Sequence, residues 1–200
     1  MPRHRSGYEM AKIVLASASP RRVELLGSLG LDFDVVASMA DEDVDPLMEP
    51  RKMVEELARR KASAVSVRHR GSVVLGADTI VCVDGKVLGK PADAEDAARM
   101  LQDLQGREHV VYTGVCVMWA DEGIQETASE ATLVRFASMS RREIEDYVES
   151  KEPMDKAGAY AIQGLGSIFI TGITGDYSNV VGLPLRLTGI LLGKAGIFIL

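Results

Sequence analysis

Hydrophobic and polar positions along this chain follow two periods, one typical of strands and one typical of helices, in alternation. Apolar runs bounded by turn residues predict strands over residues 12–16, 33–37, 72–82, 86–88, 109–119 and 125–137. Helical spacing and capping residues predict helices over residues 20–29, 50–67 and 184–192, and after Asp93 and Ser140 as far as residues 104 and 150. Residues 153–182 are rich in glycine and are predicted to be irregular. This order predicts an α/β fold with one mixed sheet and helices packed against both of its sides.

The length of 200 residues suits one domain, or two lobes that share a core, because domains usually contain about 100–200 residues. A hydrophobic content of 46% supplies enough apolar material for such a core. No internal repeat or low-complexity linker divides the chain. We therefore expect residues 1–11 to form an N-terminal extension and residues 12–200 to form a single domain.

Charge and hydropathy narrow the range of partners. The net charge of −6 disfavours nucleic acid, because a protein that binds a phosphate backbone favours a basic surface. No apolar run approaches the about 20 residues of a membrane helix, and residues 1–10 lack the apolar stretch of a secretion signal. We expect a cytoplasmic protein with no nucleic-acid or membrane partner. Cys82 and Cys116 lie in β-branched apolar runs, which predicts buried free thiols.

The turn after the first predicted strand has the features of an anion site. Small residues from Ala16 to Ser19 allow a ligand to approach the backbone, and the helix that begins at Pro20 directs its free N–H groups at this turn. Arg21 and Arg22 stand in the first helical turn, where the helix dipole disfavours cations, and a bound phosphate would remove that conflict. The alternative is an ordinary capped helix with two solvated arginines.

Asp78 interrupts a strongly apolar predicted strand, where an unpartnered carboxylate is costly to bury. We expect it to contact a metal, a cation or a ligand, or else the N–H groups of a neighbouring loop. Lys61 falls on the apolar face of the helix predicted over residues 50–67, so it points inward unless its stem bends out to water. Lys90, which precedes a proline, and Glu42, in an acidic loop, are candidates for the same site, and Mg²⁺ favours such carboxylates together with substrate phosphates. Taken alone, each is typical of solvated surface.

A third candidate segment, residues 155–164, combines small residues and glycines with one aromatic residue and Gln163. The carboxamide of Gln163 offers donors and an acceptor, which suits the edge of a nucleobase. Residues 175–184 are similarly built, as a loop before a helix. Either segment is also compatible with a purely structural loop.

Five motifs together resemble those of the Maf family of nucleotide pyrophosphatases. They are Leu15-Ala-Ser-Ala-Ser-Pro-Arg-Arg22, Leu75-Gly-Ala-Asp-Thr79, Gly89-Lys-Pro91, Glu152-Pro-Met-Asp-Lys-Ala-Gly-Ala-Tyr160 and Val181-Gly-Leu-Pro184. They keep the order of the family and span nearly the whole chain. The basic segment before residue 12 and the apolar tail, residues 196–200, depart from the pattern without touching the motifs.

The resemblance implies a Maf/ITPase-like α/β fold, a mixed sheet with flanking helices and two lobes around a substrate cleft, often as a homodimer. It implies hydrolysis of a nucleoside triphosphate to the monophosphate and pyrophosphate, with Asp78 as the catalytic base. It also implies a divalent cation, Mg²⁺ or Mn²⁺, held by Asp78 and Glu42. The implied substrate-binding residues are Ser17, Arg22, Lys61 and Lys90.

A branch of the family with arginine, threonine and glutamine at three specificity positions prefers dTTP and UTP. Arg21, Thr79 and Gln163 occupy those positions here, so the chain resembles that branch, with modified pyrimidine nucleotides as further candidate substrates. One alternative is a non-catalytic nucleotide-binding regulator of cell division, because the family is linked with septum formation. The intact set of Asp78, Lys61 and Lys90 disfavours it. A nucleic-acid-binding module is a second alternative, disfavoured by the acidic charge and by an aromatic content of 5%.

Overall fold

A computed structural model of the protein describes residues 11–200. The predicted N-terminal extension, residues 1–11, lies outside the described residues except for its last position. The strands are β1 (Ile13–Leu15), β2 (Phe33–Val35), β3 (Val73–Val83), β4 (Lys86–Leu88), β5 (Glu108–Trp119), β6 (Ile124–Phe136) and β7 (Ile170–Thr174). The α-helices are α1 (Pro20–Gly27), α2 (Pro50–Ser66), α3 (Ala94–Leu104), α4 (Arg141–Glu149), α5 (Tyr177–Val181) and α6 (Leu185–Lys194). Every element predicted from the sequence is present.

The strands form one seven-stranded mixed sheet in the order β2-β1-β3-β5-β6-β7, with β4 also paired to β3. Strands β1, β2 and β3 run parallel to one another, and β3, β5, β6 and β7 are paired antiparallel in succession. Long antiparallel strands need only tight turns between them, which fits the turn at Gly123 between β5 and β6. The predicted mixed α/β sheet is therefore confirmed.

Helices cover both faces of the sheet, as the alternation of side chains along each strand requires. On one face α2 packs its apolar stripe on a cluster that includes Val74 and Cys116. On the other face α1 and α6 pack on a cluster that includes Leu75 and Val115. A further cluster on this second face joins β4 with α3 and α4, so this face carries two cores side by side. We call the part built on the cluster of α1 and α6 the first lobe, and the part built on the cluster of β4, α3 and α4 the second lobe.

Helix α2 lies unusually close to the sheet because two glycines stand beneath it. A Cβ atom added to Gly114 would lie 2.2 Å from the backbone oxygen of Val54, and one added to Gly76 would lie 2.4 Å from that of Ala58. Only hydrogen atoms fit in these positions. The backbone of α2 therefore rests directly on β3 and β5. This close approach lets side chains of the helix contact the strands.

The sheet has a gap along one edge of β3. Strand β1 pairs with residues 73–75 of β3, and β4 pairs with residues 81–83 on the same edge, because β5 occupies the other edge. Residues 76–80 consequently have no strand beside them on that edge within the part of the chain that the structure describes. The two lobes part at this gap, which contains Asp78 and Thr79.

The segment predicted to be irregular, residues 153–182, contains β7, α5 and three short 3-10 turns, so that prediction was wrong in part. The strand escaped prediction because it holds Gly172 in its centre and pairs only with β6, as an edge strand. The helix has five residues and depends on its cap, in which the Asp176 carboxylate accepts hydrogen bonds from Ser178 and Asn179. Neither element has enough residues to show a period.

The two cysteines of the chain lie in neighbouring strands of the sheet, β3 and β5. Cys116 is buried and Cys82 is half-buried, and both are free thiols. Burial raises the pKa of both thiols, so they stay protonated and unreactive near neutral pH.

Among the helices of residues 11–200, none combines the length and the apolar character needed to cross a membrane.

A buried histidine gives the first testable prediction. His109 is 2% exposed, its Nε2 lies 2.7 Å from the Tyr160 hydroxyl, and burial lowers the pKa of its imidazole from 6.5 to about 4. Between those pH values the unfolded chain binds a proton here that the folded protein does not bind. The free energy of unfolding should therefore fall by about 3 kcal/mol as the pH is lowered from 6.5 to 4.

Urea unfolding of the wild type and of His109→Gln across this pH range measures the effect. Glutamine does not titrate and can still hydrogen-bond to Tyr160. The difference between the two curves of unfolding free energy against pH therefore gives the contribution of the imidazole, separate from that of the acidic groups. Two parallel curves would contradict the prediction.

Candidate active site

A cleft of about 600 Å³ opens at the gap in the edge of β3. One wall is the turn between β1 and α1, and the other is formed by residues 155–163 of the second lobe. The floor is formed by β3. All the candidate site residues from the sequence line this one cleft: Ser17, Arg21, Arg22, Glu42, Lys61, Asp78, Thr79, Lys90 and Gln163.

The centre of the cleft is an ion pair between α2 and β3. The Lys61 ammonium donates a hydrogen bond to Asp78 Oδ1 at 2.6 Å and lies 2.8 Å from Glu42 Oε1. The side chains of Lys61 and Asp78 are each 13% exposed, whereas that of Glu42 is 66% exposed. Lys61 therefore points inward and does not bend out to water, and the partner of Asp78 is a cation.

Local structure explains why this ion pair forms. Asp78 stands on the face of β3 that carries Gly76, so it faces α2, and the missing side chain of Gly76 lets the helix approach. Lys61 shares the buried face of α2 with Leu57 and Val65. The hydrogen bond from Lys61 is the largest cause of the lowered pKa of Glu42, which keeps that carboxyl ionised.

Arg22 lies at the base of the cleft and is partly buried. Its Nε donates to the backbone oxygen of Gly182 at 2.8 Å, its Nη2 donates to Thr79 Oγ1 at 3.0 Å, and its Nη1 lies 3.5 Å from Ser17 Oγ. Desolvation lowers the pKa of its guanidinium, which nevertheless stays charged at neutral pH. A cation held in this way by neutral oxygens favours an anion in the cleft, and the prediction of a solvated arginine does not hold for Arg22.

The helix beside Arg22 also presents free donors. The side chain of Ser19, at the N-terminus of α1, makes no capping hydrogen bond, and the first turn of α1 contains no acidic residue. Ser17 is 7% exposed, and its hydroxyl accepts a hydrogen bond from the backbone N–H of Ser19. The unsatisfied N–H groups and the positive end of the helix dipole therefore face the cleft.

The second lobe contributes residues to the opposite wall. Arg21 Nη1 lies 3.6 Å from Asp155 Oδ2, which is the one ion pair between the two walls in the described residues. Lys90 is exposed within the cleft, and the turn that carries it is fastened to the second lobe where the backbone N–H of Gly158 donates to Gly89 at 2.9 Å. Gln163 is half-buried on the wall of the second lobe.

Glu152 organises the loop next to Gln163, a role that the sequence does not indicate. Its carboxylate accepts hydrogen bonds from the Tyr147 hydroxyl at 2.8 Å and from the backbone N–H groups of Leu165 and Gly166, both at 2.9 Å. Burial alone would raise the pKa of Glu152, but these hydrogen bonds lower it overall. The sequence places Glu152 in a family motif, whereas its three partners become visible only once the loop is folded.

We expect Glu152→Gln to lower the free energy of unfolding by about 2 kcal/mol, because a carboxamide nitrogen cannot accept the hydrogen bonds that the carboxylate accepts. Urea unfolding at neutral pH measures the change. The matched control is Glu149→Gln, an exposed glutamate at the end of α4, which should change the value by less than about 0.5 kcal/mol. Equal effects of the two substitutions would refute the role of Glu152.

The acidic residues of the cleft fit a divalent cation bound together with a substrate. Asp78 and Glu42 both contact the same nitrogen, that of Lys61, so their carboxylates converge. Mg²⁺ in nucleotide sites is usually held by one or two carboxylates, with phosphate and water oxygens completing its shell. Within residues 11–200 no group of three or more His, Cys, Asp or Glu side chains forms a metal site of its own. Asp78 and Glu42 are thus two carboxylates of the kind that hold Mg²⁺ together with a phosphate-bearing ligand.

The mixed sheet and its cleft define an α/β protein whose site combines converging carboxylates with several cations and a free helix N-terminus, a combination suited to phosphate-bearing small molecules. A family model described as Maf-like protein matches residues 12–195. The chain belongs to the Maf family, as the five motifs indicated.

Relatives in three bacteria support the assignment to this family. A dTTP/UTP pyrophosphatase of Symbiobacterium thermophilum is 54% identical over 187 residues, which cover 94% of this chain and 95% of that protein. One of Pelotomaculum thermopropionicum is 51% identical over 187 residues, covering 94% and 98% of the two chains. One of Anaeromyxobacter dehalogenans is 54% identical over 187 residues, covering 92% and 94%. The similarity extends over nearly the full length of each of these proteins.

Proposed function

We propose that this protein hydrolyses dTTP and UTP to the corresponding monophosphate and pyrophosphate. The observation that carries the proposal is the contact of Asp78 with Lys61 in a cleft that also holds Arg22 and Lys90. Support comes from relatives about half identical in sequence that bear the name dTTP/UTP pyrophosphatase. Modified pyrimidine nucleotides are further candidate substrates because they combine a triphosphate with a pyrimidine ring.

In the proposed reaction Asp78 accepts a proton from a water molecule as the water oxygen attacks the α-phosphorus. The bond from the α-phosphorus to the bridging oxygen breaks, and that oxygen leaves with the β-phosphorus as pyrophosphate. Lys61 holds the Asp78 side chain in place through their 2.6 Å hydrogen bond. A divalent cation, Mg²⁺ or Mn²⁺, bound by Asp78 and Glu42 would neutralise charge on the phosphate oxygens.

The cations of the cleft supply the remaining stabilisation. Arg22 and Lys90 approach from the two lobes, and the free N–H groups at the N-terminus of α1 lie beside Arg22. Donors arranged in this way before the reaction stabilise the charge that develops on the phosphates without reorganising. We assign base selection to Arg21 on α1, Thr79 on β3 and Gln163 on the wall of the second lobe, all of which line the cleft.

The proposal is tested by measuring pyrophosphate and monophosphate released from dTTP, UTP, CTP, ATP and GTP, each with Mg²⁺, with Mn²⁺ and with excess chelator. We expect turnover of dTTP and UTP, in the presence of metal only. The alternative is a nucleotide-binding regulator of cell division. It predicts that equilibrium dialysis detects nucleotide binding while no nucleotide is hydrolysed with either metal, and that result would overturn the enzymatic proposal.

We also propose that the protein is a homodimer in the cytoplasm, without nucleic-acid or membrane partners. Met39, Ile168 and Phe198 are 92%, 73% and 69% exposed, and a second copy that covered any of these apolar side chains would gain from their burial. Sedimentation equilibrium measures the mass of the particle in solution. A monomer at all concentrations would exclude the dimer.

A further inference from the structure

A line of hydrogen-bonded side chains leads from the cleft into the interior of the sheet. Thr79 on β3 and Thr113 on β5 are directly paired residues, and their hydroxyl oxygens lie 2.9 Å apart. Thr113 Oγ1 lies 3.0 Å from the backbone oxygen of Asn179 in α5, and Arg22 Nη2 donates to Thr79 Oγ1 at 3.0 Å. Thr79 lines the cleft, whereas Thr113 is fully buried behind it.

Donor and acceptor chemistry fixes the direction of every bond in this line. A backbone oxygen only accepts, so the single hydroxyl hydrogen of Thr113 is committed to Asn179. Between the two threonines the hydrogen must therefore come from Thr79. The Thr79 oxygen already accepts from Arg22, and a hydroxyl has two lone pairs. What Thr79 has left to offer a ligand is one lone pair and no hydrogen.

The far end of the line is held firmly, which keeps this direction from reversing. Asn179 is fully buried, and its Nδ2 donates to the backbone oxygen of Val111 and to Thr132 Oγ1, both at 3.0 Å. Its own backbone oxygen lies near the end of α5, where the N–H of Leu183 bonds to Ser178 instead. The Thr113 hydroxyl is thus the donor that satisfies an otherwise orphaned helix carbonyl.

We propose that Thr113 is a specificity-determining positioning residue, which acts by turning the Thr79 hydroxyl into an obligate acceptor toward the nucleobase. The proposal rests on the proposed function. Uracil and thymine carry a hydrogen on ring nitrogen N3, whereas N3 of cytosine carries a lone pair at the same place. An acceptor-only hydroxyl pairs with the first and opposes the second, because two lone pairs that face each other leave both polar atoms unsatisfied.

The test compares UTP with CTP, which differ only in the pyrimidine edge, in wild type, Thr113→Val, Thr113→Ala and Thr113→Ser. Valine and alanine lack the acceptor for the Thr79 hydrogen, which is then free to point at the base. We expect the preference for UTP over CTP, measured as the ratio of kcat/KM, to fall about tenfold in both, as the loss of one ordinary hydrogen bond predicts. The change should lie in KM, and Thr113→Ser should retain the wild-type ratio.

A second set of variants tests whether the effect passes through Thr79. In a Thr79→Val background, Thr113→Val should change the UTP to CTP ratio no further. The ratio is also measured as the Kd of UMP against CMP, so a protein that binds but does not hydrolyse still tests the inference separately from the proposed function. An unchanged ratio in Thr113→Val and Thr113→Ala, or an equal loss for both nucleotides, overturns the proposal.

Discussion

Asp78→Asn is expected to reduce kcat for dTTP by about 10²–10⁴-fold, the range that a positioned proton acceptor contributes. Asparagine has the shape of aspartate but cannot take up a proton, and it removes the negative charge that faces Lys61 across 2.6 Å. Pyrophosphate release at saturating nucleotide measures the effect. Equilibrium dialysis should show that the variant still binds dTTP, since Arg22 and Lys90 are untouched.

The matched control is Asp84→Asn, at an exposed turn of positive φ in the β3–β4 hairpin, where asparagine is well tolerated. It should leave kcat unchanged and the free energy of unfolding within about 0.5 kcal/mol, because the ion pair of Asp84 with Arg107 is exposed. If Asp78→Asn also kept the wild-type kcat while folding normally, Asp78 would not be the proton acceptor, and the role would have to be assigned elsewhere in the cleft.

Gly114→Ala is expected to lower the free energy of unfolding by about 3 kcal/mol or more, at the upper end of the cost of overpacking a core. The added methyl group would stand 2.2 Å from the backbone oxygen of Val54 and 2.7 Å from the backbone nitrogen of Glu55. Backbone atoms of a helix cannot rotate away as a side chain can, so α2 as a whole must lift from the sheet. Lifting α2 also moves Lys61 away from Asp78, and activity should fall together with stability.

Gly27→Ala, at the last residue of α1, is the control for this substitution. A Cβ atom there meets nothing within 4 Å, so alanine should leave the protein as stable as the wild type or slightly more stable. Urea unfolding of the two variants measures the difference. Equal stability of Gly114→Ala and Gly27→Ala would show that α2 adjusts freely, contrary to the close contact described.

Much of the fold follows from the sequence because its long elements have strong periods. Helix α2 shows its apolar stripe over 17 residues, and β3 shows an apolar run that is broken only at Gly76, Asp78 and Thr79, so both were predicted within two residues of their ends. The pairing order of the strands, in contrast, does not follow from the local sequence pattern. Nothing in the local pattern states that β4 returns to the same edge of β3 as β1, and the gap between them is a product of tertiary structure.

Some residues of the candidate site could be predicted from the sequence, and others could not. Asp78, Lys61 and Arg22 could be found from the sequence because each conflicts with its local surroundings, a carboxylate in an apolar strand or a cation on an apolar face or at a helix N-terminus. Thr113 and Glu152 conflict with nothing. A threonine is ordinary in a strand, and its importance arises from the register that pairs it with Thr79. Side chains that act through a second side chain leave no such signal.

The length of β3 has a consequence for how the protein unfolds. Its 11 residues, and the 12 of β5 beside it, run without interruption from the core of one lobe into the core of the other. We expect that neither lobe unfolds alone, because unfolding one lobe would break hydrogen bonds between β3 and β5, which the other lobe also contains. The cleft thus separates the two lobes at the surface, but both lobes belong to one cooperative unfolding unit. Melting of one whole lobe is therefore not a route by which a nucleotide enters or leaves the cleft.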